Sequence, residues 1–509
     1  MTPTAKRLRL VAASAVASLI AVAGCAPVPT VPGDSGGGGA ATFAAPVTDA
    51  ELPAFTGIAR IGLDSQCTAT ALDLGVDDAP AYLLTAGHCL TWTPGPNGAE
   101  AIDGQVATFQ TLQGGVRTPA TFPVVQREYA SMHGTDLAIV RLDATVADLR
   151  AAGVRPLALA SAPAAADAEV VNVGIPVEGV PEAEQVLRRG ECTMGATVEV
   201  VEHIWSFGPL QRNDCPGIRG GSSGSPVLLQ DEIVGVINTT TGGWPGRGGE
   251  CWLGAPCEVA DSAATAASAA VVRPETSYAV PITGLSACWN DAGTFQRGNG
   301  CPLAAPVTGE TTNYGSEVRS AALEEGAATG VTVMAEPGQT VTVDLVAIGN
   351  IASCRDGSAP AVAVDRADGE IGADGVIDLA VRVPATEGRY VACIRVNNVP
   401  RSPQFFHVDD TAPQRRVQLS VSSFDATVVR YEPIFSPPEL SGFRLKHGPE
   451  ATTDCADEAD YGLYRRIPIE VPASELPVAV CVIGEDHAGN ATEPYRQVLT
   501  STDLAGAAR

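Results

Sequence analysis

The chain has 509 residues, more than one ordinary domain holds, so two to four domains are expected. Its net charge of -26 excludes nucleic acid as a partner, because phosphate binding needs clustered Lys and Arg. An acidic, soluble surface is the simpler meaning.

In chain order, Lys6, Arg7 and Arg9 form a positive start, and Leu10 to Ala23 is an apolar run too short for a comfortable membrane span. The run ends in Val22-Ala23-Gly24-Cys25, which resembles a bacterial lipobox. That resemblance implies a signal peptide over 1–25, lipidation at Cys25, and a place on the extracellular face of the cell membrane. An ordinary secretory signal, leaving the protein secreted, is the alternative. Residues 26–50 are rich in Pro, Gly, Ser and Ala, including Gly36 to Gly39, and read as a flexible linker.

Residues 51–303 carry short apolar runs separated by Gly, Pro and Asp turns, the pattern of an all-β domain. The Ala-rich stretch 256–272 reads equally as a helix or as an inserted loop. Two further segments, 307–408 and 413–498, show alternating strands such as Thr340-Val341-Thr342-Val343 and Tyr390 to Val396, and later Val417 to Val421 and Pro477 to Ile483. Each holds one cysteine pair. Both resemble bacterial immunoglobulin-like modules, which implies β-sandwiches. The pairs Asp368-Gly369 and Asp374-Gly375 read as tight turns.

There are thirteen cysteines, and setting Cys25 aside leaves twelve, an even number that fits disulfides in an oxidising compartment. Sequence neighbours suggest Cys67–Cys89, Cys192–Cys215, Cys251–Cys257, Cys288–Cys301, Cys354–Cys393 and Cys455–Cys481, although sequence does not fix connectivity. No CxxC pair occurs and there are six histidines, so neither a metal nor a cofactor is expected.

The chemistry-bearing residues lie in 51–303. Thr85-Ala86-Gly87-His88-Cys89 ends an apolar strand in a small-residue turn that presents an imidazole. Gly134-Thr135-Asp136-Leu137-Ala138-Ile139-Val140 leads an aspartate into a buried strand. Gly220-Gly221-Ser222-Ser223-Gly224-Ser225-Pro226 offers a hydroxyl in a loop that glycines let turn sharply. A serine that attacks a carbonyl needs a neutral imidazole as base, a carboxylate to orient that imidazole, and N–H donors for the developing oxyanion. Together these motifs resemble the chymotrypsin/trypsin-like serine peptidases, in particular the bacterial trypsin-like branch.

The resemblance implies a mainly β fold, with a two-barrel peptidase domain followed by two immunoglobulin-like β-sandwiches. It also implies a serine endopeptidase acting on protein or peptide substrates. His88, Asp136 and Ser223 would form the triad, and the N–H groups of Gly221 and Ser223 the oxyanion hole. Gly217, six residues before Ser223, would lie at the floor of the specificity pocket, and Asn238, Thr239 and Thr240, at the end of the strand from Ile233, along its wall. Gly217 replaces the aspartate of the trypsins, so Arg/Lys preference at that pocket is not implied. Ser222 replaces the aspartate that receives a new N-terminus on zymogen activation. Arg219 reads either as a contact for acidic substrate residues or as a solvated loop residue.

Two other readings compete. Gly220 to Gly224 also fits Gly-x-Ser-x-Gly with Ser222 as nucleophile, but such hydrolases place their histidine after the serine, and β-α alternation is absent here. His133 is a rival histidine that reads as a solvated loop residue. A different class also stays open: a non-catalytic cell-surface adhesin built on a peptidase fold, with a surface ligand for the C-terminal modules.

Overall fold

Short apolar and β-branched runs bounded by turn residues fold into strands through most of the chain. A computed structural model describes residues 44–505 apart from 63–65, 92–96, 243–250, 252, 260–269, 299, 306–315, 324–328, 358, 361, 414–416, 426, 434–439 and 466. The expected signal, the expected lipidation site Cys25 and most of the expected linker fall outside the described residues.

Six strands form the first barrel: β1 (Ile58–Gly62), β2 (Gln66–Asp73), β3 (Pro80–Thr85), β4 (Glu100–Gln113), β5 (Val116–Ser131) and β6 (Leu137–Thr145). They pair in the order β1-β4-β5-β6-β3-β2, and β2 pairs back to β1. Closure leaves no open edge in this ring of six.

A second ring follows. Its strands, with two short additions, are β7 (Glu169–Gly174), β8 (Arg188–Glu202), β9 (Trp205–Asn213), β10 (Pro226–Leu229), β11 (Glu232–Thr240), β12 (Cys257–Val259), β13 (Ala270–Val272) and β14 (Ser277–Pro281). The order is β9-β14-β11-β10-β7-β8, closed by pairing of β8 with β9. The pair β12–β13 extends from β8. The described ends of the Ala-rich stretch are thus strands; 260–269 lie outside the described residues.

Between the rings, Tyr82, Leu84, Leu137 and Ile139 of the first pack with Val173, Val200, Phe207 and Tyr278 of the second. Burying each such side chain contributes about 1.5–3 kcal/mol. This shared core fixes one ring against the other, and the residues that carry the chemistry meet at their junction. The expected linker ends early: Ala45–Pro46 pair with Arg188 and Arg189 of β8, and Val47 is buried. Apolar Val47 and Leu52 draw this stretch onto the core.

The rest of the chain forms two β-sandwich regions. In the first, β15 (Thr329–Met334) pairs with β18 (Val376–Val381), while β16 (Thr340–Ala347) lies between β17 (Asp365–Glu370) and β19 (Gly388–Val396), and β20 (Gln404–Val408) pairs with β19. Val331 and Val381 of one sheet pack on Val343 and Ile394 of the other. The second region likewise packs Val429 and Val471 against Phe443 and Val480.

Of the two expected Asp-Gly turns, Asp374-Gly375 is a turn, with Gly375 at φ +78°. Asp368-Gly369 is not. Both residues lie in β17, with Gly369 opposite Val341. A Cβ on Gly369 would stand 2.3 Å from Ile377 Cδ1, so glycine serves close sheet packing there instead of a turn.

All six expected disulfides are present. Two of them meet in one apolar cluster. Val201, Val259 and Cys251–Cys257 of the second ring pack with Val346, Ile348, Ile351 and Cys354–Cys393 of the first sandwich region. Arg355 adds a two-pronged ion pair to Glu199 of β8 at 2.5 and 2.8 Å. The sandwich region is therefore joined to the second ring through a common core, not only through a linker.

Candidate active site

Strand β3 runs into a single 3-10 turn, Gly87–Cys89, and the disulfide from Cys89 to Cys67 on β2 fixes that turn. Asp136 stands just before β6 and is 1% exposed. Its Oδ1 accepts the backbone N–H of His88 at 2.7 Å, and its Oδ2 lies 2.7 Å from His88 Nδ1. One carboxylate thus holds both the main chain and the ring of His88. With the proton on Nδ1, Nε2 is the basic nitrogen. Burial alone disfavours the His88 imidazolium, but Asp136 and then Glu202 outweigh it and raise the pKa above the ordinary histidine value.

Ser223 lies in the turn before β10, partly exposed, and lines one cleft with His88 and Asp136. Ser222 is 2% exposed, and its Oγ lies 3.4 Å from the N–H of Arg219. The loop is tied to the first ring. Thr68 N–H donates to Ser223 O at 2.9 Å. The Thr68 hydroxyl donates to Gly221 O at 2.8 Å and accepts from Ile175 N–H at 3.0 Å. Asn172 donates to Ser225 Oγ at 2.8 Å. Thr68 and Asn172 were not singled out in the sequence, where neither stands in a recognisable motif.

Gly221 has φ +96°, in the region that favours glycine, and a Cβ there would meet Ile175 O at 2.7 Å and Val177 N at 2.8 Å. The Gly220 carbonyl accepts N–H groups from Val177 at 2.8 Å and Glu178 at 3.0 Å. In a trans peptide the N–H points opposite to the carbonyl, so these two bonds also fix the direction of the Gly221 N–H.

The cleft holds about 230 Å³. Asn238, Thr239 and Thr240 line it as expected; Gly217 does not, although its neighbours Ile218, Arg219 and Gly220 do. Glu178, Glu202, Met132, Trp205 and Leu253 also line it and were not foreseen. Arg219 is not simply solvated. It lines the cleft, its Nη1 lies 3.4 Å from Glu178 O, and burial lowers its pKa. His133 is not solvated either. It lies at the face shared with the sandwich region, where burial, and next Arg355 and Arg401, bring its pKa down to about 4. Among the described residues, one metal-like group occurs, Cys67, His88 and Cys89, and its sulfurs are spent in a disulfide.

A half-buried histidine held by a buried aspartate thus shares one cleft with a serine-bearing loop at the junction of two closed six-stranded rings. Residues 69–236 match the trypsin-like peptidase domain. The match takes in His88, Asp136 and Ser223. Solved structures similar to this chain include a scabies mite inactivated protease paralogue, S-I1, at 16% identity and TM-score 0.29, covering 40% of this chain and 89% of its own. Another is HBP at 14% identity and TM-score 0.31, covering 48% of this chain and 91% of its own. The comparison with curated proteins returned no match. The matched residues thus take in most of both rings; β1 lies before them, and β14 closes the second ring beyond them.

Proposed function

We propose that this chain is an exported, lipid-anchored serine endopeptidase with His88, Asp136 and Ser223 as its triad and no cofactor. The observation that carries this reading is the double hold of Asp136 on His88 in the cleft that Ser223 lines. As Ser223 Oγ bonds to the substrate carbonyl carbon, its proton passes to His88 Nε2 and the carbonyl π electrons move to oxygen. Asp136 holds the imidazolium that results, and the N–H groups of Gly221 and Ser223 receive the oxyanion. When the oxyanion collapses, the C–N bond breaks and His88 returns the proton to the leaving amine. Water then opens the acyl-enzyme by the same steps in reverse. Asn238, Thr239 and Thr240 would contact the substrate, with Gly217 behind the pocket.

Six disulfides fit an oxidising compartment, which supports export. In this reading, lipid on Cys25 and the residues up to about 44 hold the domain at the outer face of the membrane. The two immunoglobulin-like modules follow it and are available to a surface ligand.

The test is labelling by a fluorophosphonate, which traps an activated serine. The full chain is expected to label, and Ser223→Ala to abolish labelling while Ser222→Ala retains it. A folded chain that does not label at any pH from 5 to 9 returns the reading to a non-catalytic binding protein. Gly221→Ala is expected to lower kcat/KM by about 10²–10³-fold, the usual effect of losing one oxyanion donor, because its Cβ displaces the peptide held by Val177 and Glu178. Hydrolysis of a chromogenic peptide library measures it.

A further inference from the structure

The hairpin of β8 and β9 turns at His203-Ile204 and sets its two flanking residues, Glu202 and Trp205, opposite each other. Both line the cleft that holds His88, Asp136 and Ser223. Glu202 is 5% exposed. A carboxylate removed this far from water is costly unless its oxygens are engaged and a positive charge lies near. The oxygens are engaged: Gly254 N–H donates at 2.6 Å, and the Thr239 side chain adds a second hydrogen bond. The group in the same cleft that acquires positive charge and interacts with Glu202 is His88. Asp136, the other ionisable neighbour, carries the same sign as Glu202. The remaining charged residues of the cleft, Glu178 and Arg219, interact with each other.

We propose that Glu202 is a positioning residue for His88, a second buried carboxylate that shares with Asp136 the stabilisation of the imidazolium formed when Ser223 gives up its proton. Asp136 holds Nδ1 and sets the tautomer; Glu202 contributes charge across the cleft, held in place by Gly254 and Thr239 instead of by the ring itself. Burial, and last the charge of Asp136, hold the Glu202 pKa above the ordinary glutamate value, while the bonds from Gly254 and Thr239 and the charge of His88 oppose that rise. The consequence for rate has two signs. Removing the Glu202 charge destabilises the imidazolium, which slows the chemical step. It also lowers the pH at which His88 becomes protonated, which keeps the base available in more acidic solution.

The proposal rests on the peptidase reading of the cleft, so its test includes a measurement that does not. In the full chain with ¹⁵N-labelled histidine, the pKa of His88 is followed by NMR in wild type, Glu202→Gln and Glu202→Asp. In parallel, kcat and the acid limb of kcat/KM are measured on an uncharged peptide substrate. Glu202→Gln keeps an oxygen for Gly254 N–H. It is expected to lower the His88 pKa by about one unit, to move the acid limb down by the same amount, and to reduce plateau kcat by up to about tenfold. Glu202→Asp keeps the charge and is expected to retain most of the His88 pKa, even where packing around it loosens. A His88 pKa unchanged in Glu202→Gln overturns the proposal, as does a shift equally large in Glu202→Asp, which would assign the effect to shape. If the pKa moves but wild type neither labels nor hydrolyses peptides, the coupling stands and the peptidase reading falls.

Discussion

Asp136→Asn is expected to lower kcat/KM by about 10⁴-fold with little loss of fold stability. The carboxylate performs two tasks that asparagine separates. Its Oδ1 accepts the His88 backbone N–H, a bond the amide oxygen can reproduce. Its Oδ2 faces Nδ1, and there an amide NH₂ would donate. The ring would then keep Nδ1 unprotonated and place its proton on Nε2, the nitrogen that must accept from Ser223. The imidazolium would also lose its largest stabilising partner, so its pKa would fall from its raised position. The measurement is kcat/KM against pH on a peptide ester, with thermal unfolding as the control for structure. A loss below tenfold would remove Asp136 from the triad.

The second large effect concerns stability and reaches the active site from outside the trypsin-like segment. Ile351, 3% exposed, lies in the cluster that the first sandwich region shares with Val201 and the Cys251–Cys257 disulfide. Ile351→Ala is expected to cost about 2–5 kcal/mol, the usual range for emptying a buried aliphatic site. Because the cluster joins both regions, the thermal midpoint at which fluorophosphonate labelling is lost should fall together with the midpoint for the sandwich. Two independent units would leave the labelling midpoint where it was.

The same interface carries a pH dependence. His133 is held far below its ordinary 6.5, at about 4, by burial and by Arg355 and Arg401. A folded-state pKa below the unfolded one means that the unfolded chain binds the proton more readily. The stability associated with neutral His133 is therefore complete above about pH 6.5 and is lost progressively as pH falls toward about 4. Arg355→Ala, which removes one of the two cations and the partner of Glu199, should raise the His133 pKa and narrow that window.

How much of this was legible in the sequence follows from how local each feature is. The turn that presents His88, the aspartate leading into β6 and the glycine-flanked serine are short motifs whose geometry is set by neighbouring residues, and the structure brings all three to one cleft. Cysteines close in sequence found each other where one sits on a strand and the other just past the strand paired with it, as in Cys67–Cys89 and Cys192–Cys215. Asp368-Gly369 was misread because a dipeptide does not reveal whether glycine provides a turn or room for a facing side chain, here Ile377.

What the sequence determined by itself was the strand-rich fold and the candidate triad, because strand periodicity and turn chemistry act over a few residues; it suggested the six disulfide pairs, and the structure fixed them. Only the tertiary structure decided that Ser223 and not Ser222 opens onto the cleft, that Glu202, at the tip of a hairpin 114 residues further along the chain, lines the same cleft as His88, and that the first sandwich region shares a core with the second ring. Each of these depends on closing a ring of strands or packing one sheet on another. Such contacts join residues far apart in the chain, and no local pattern encodes them.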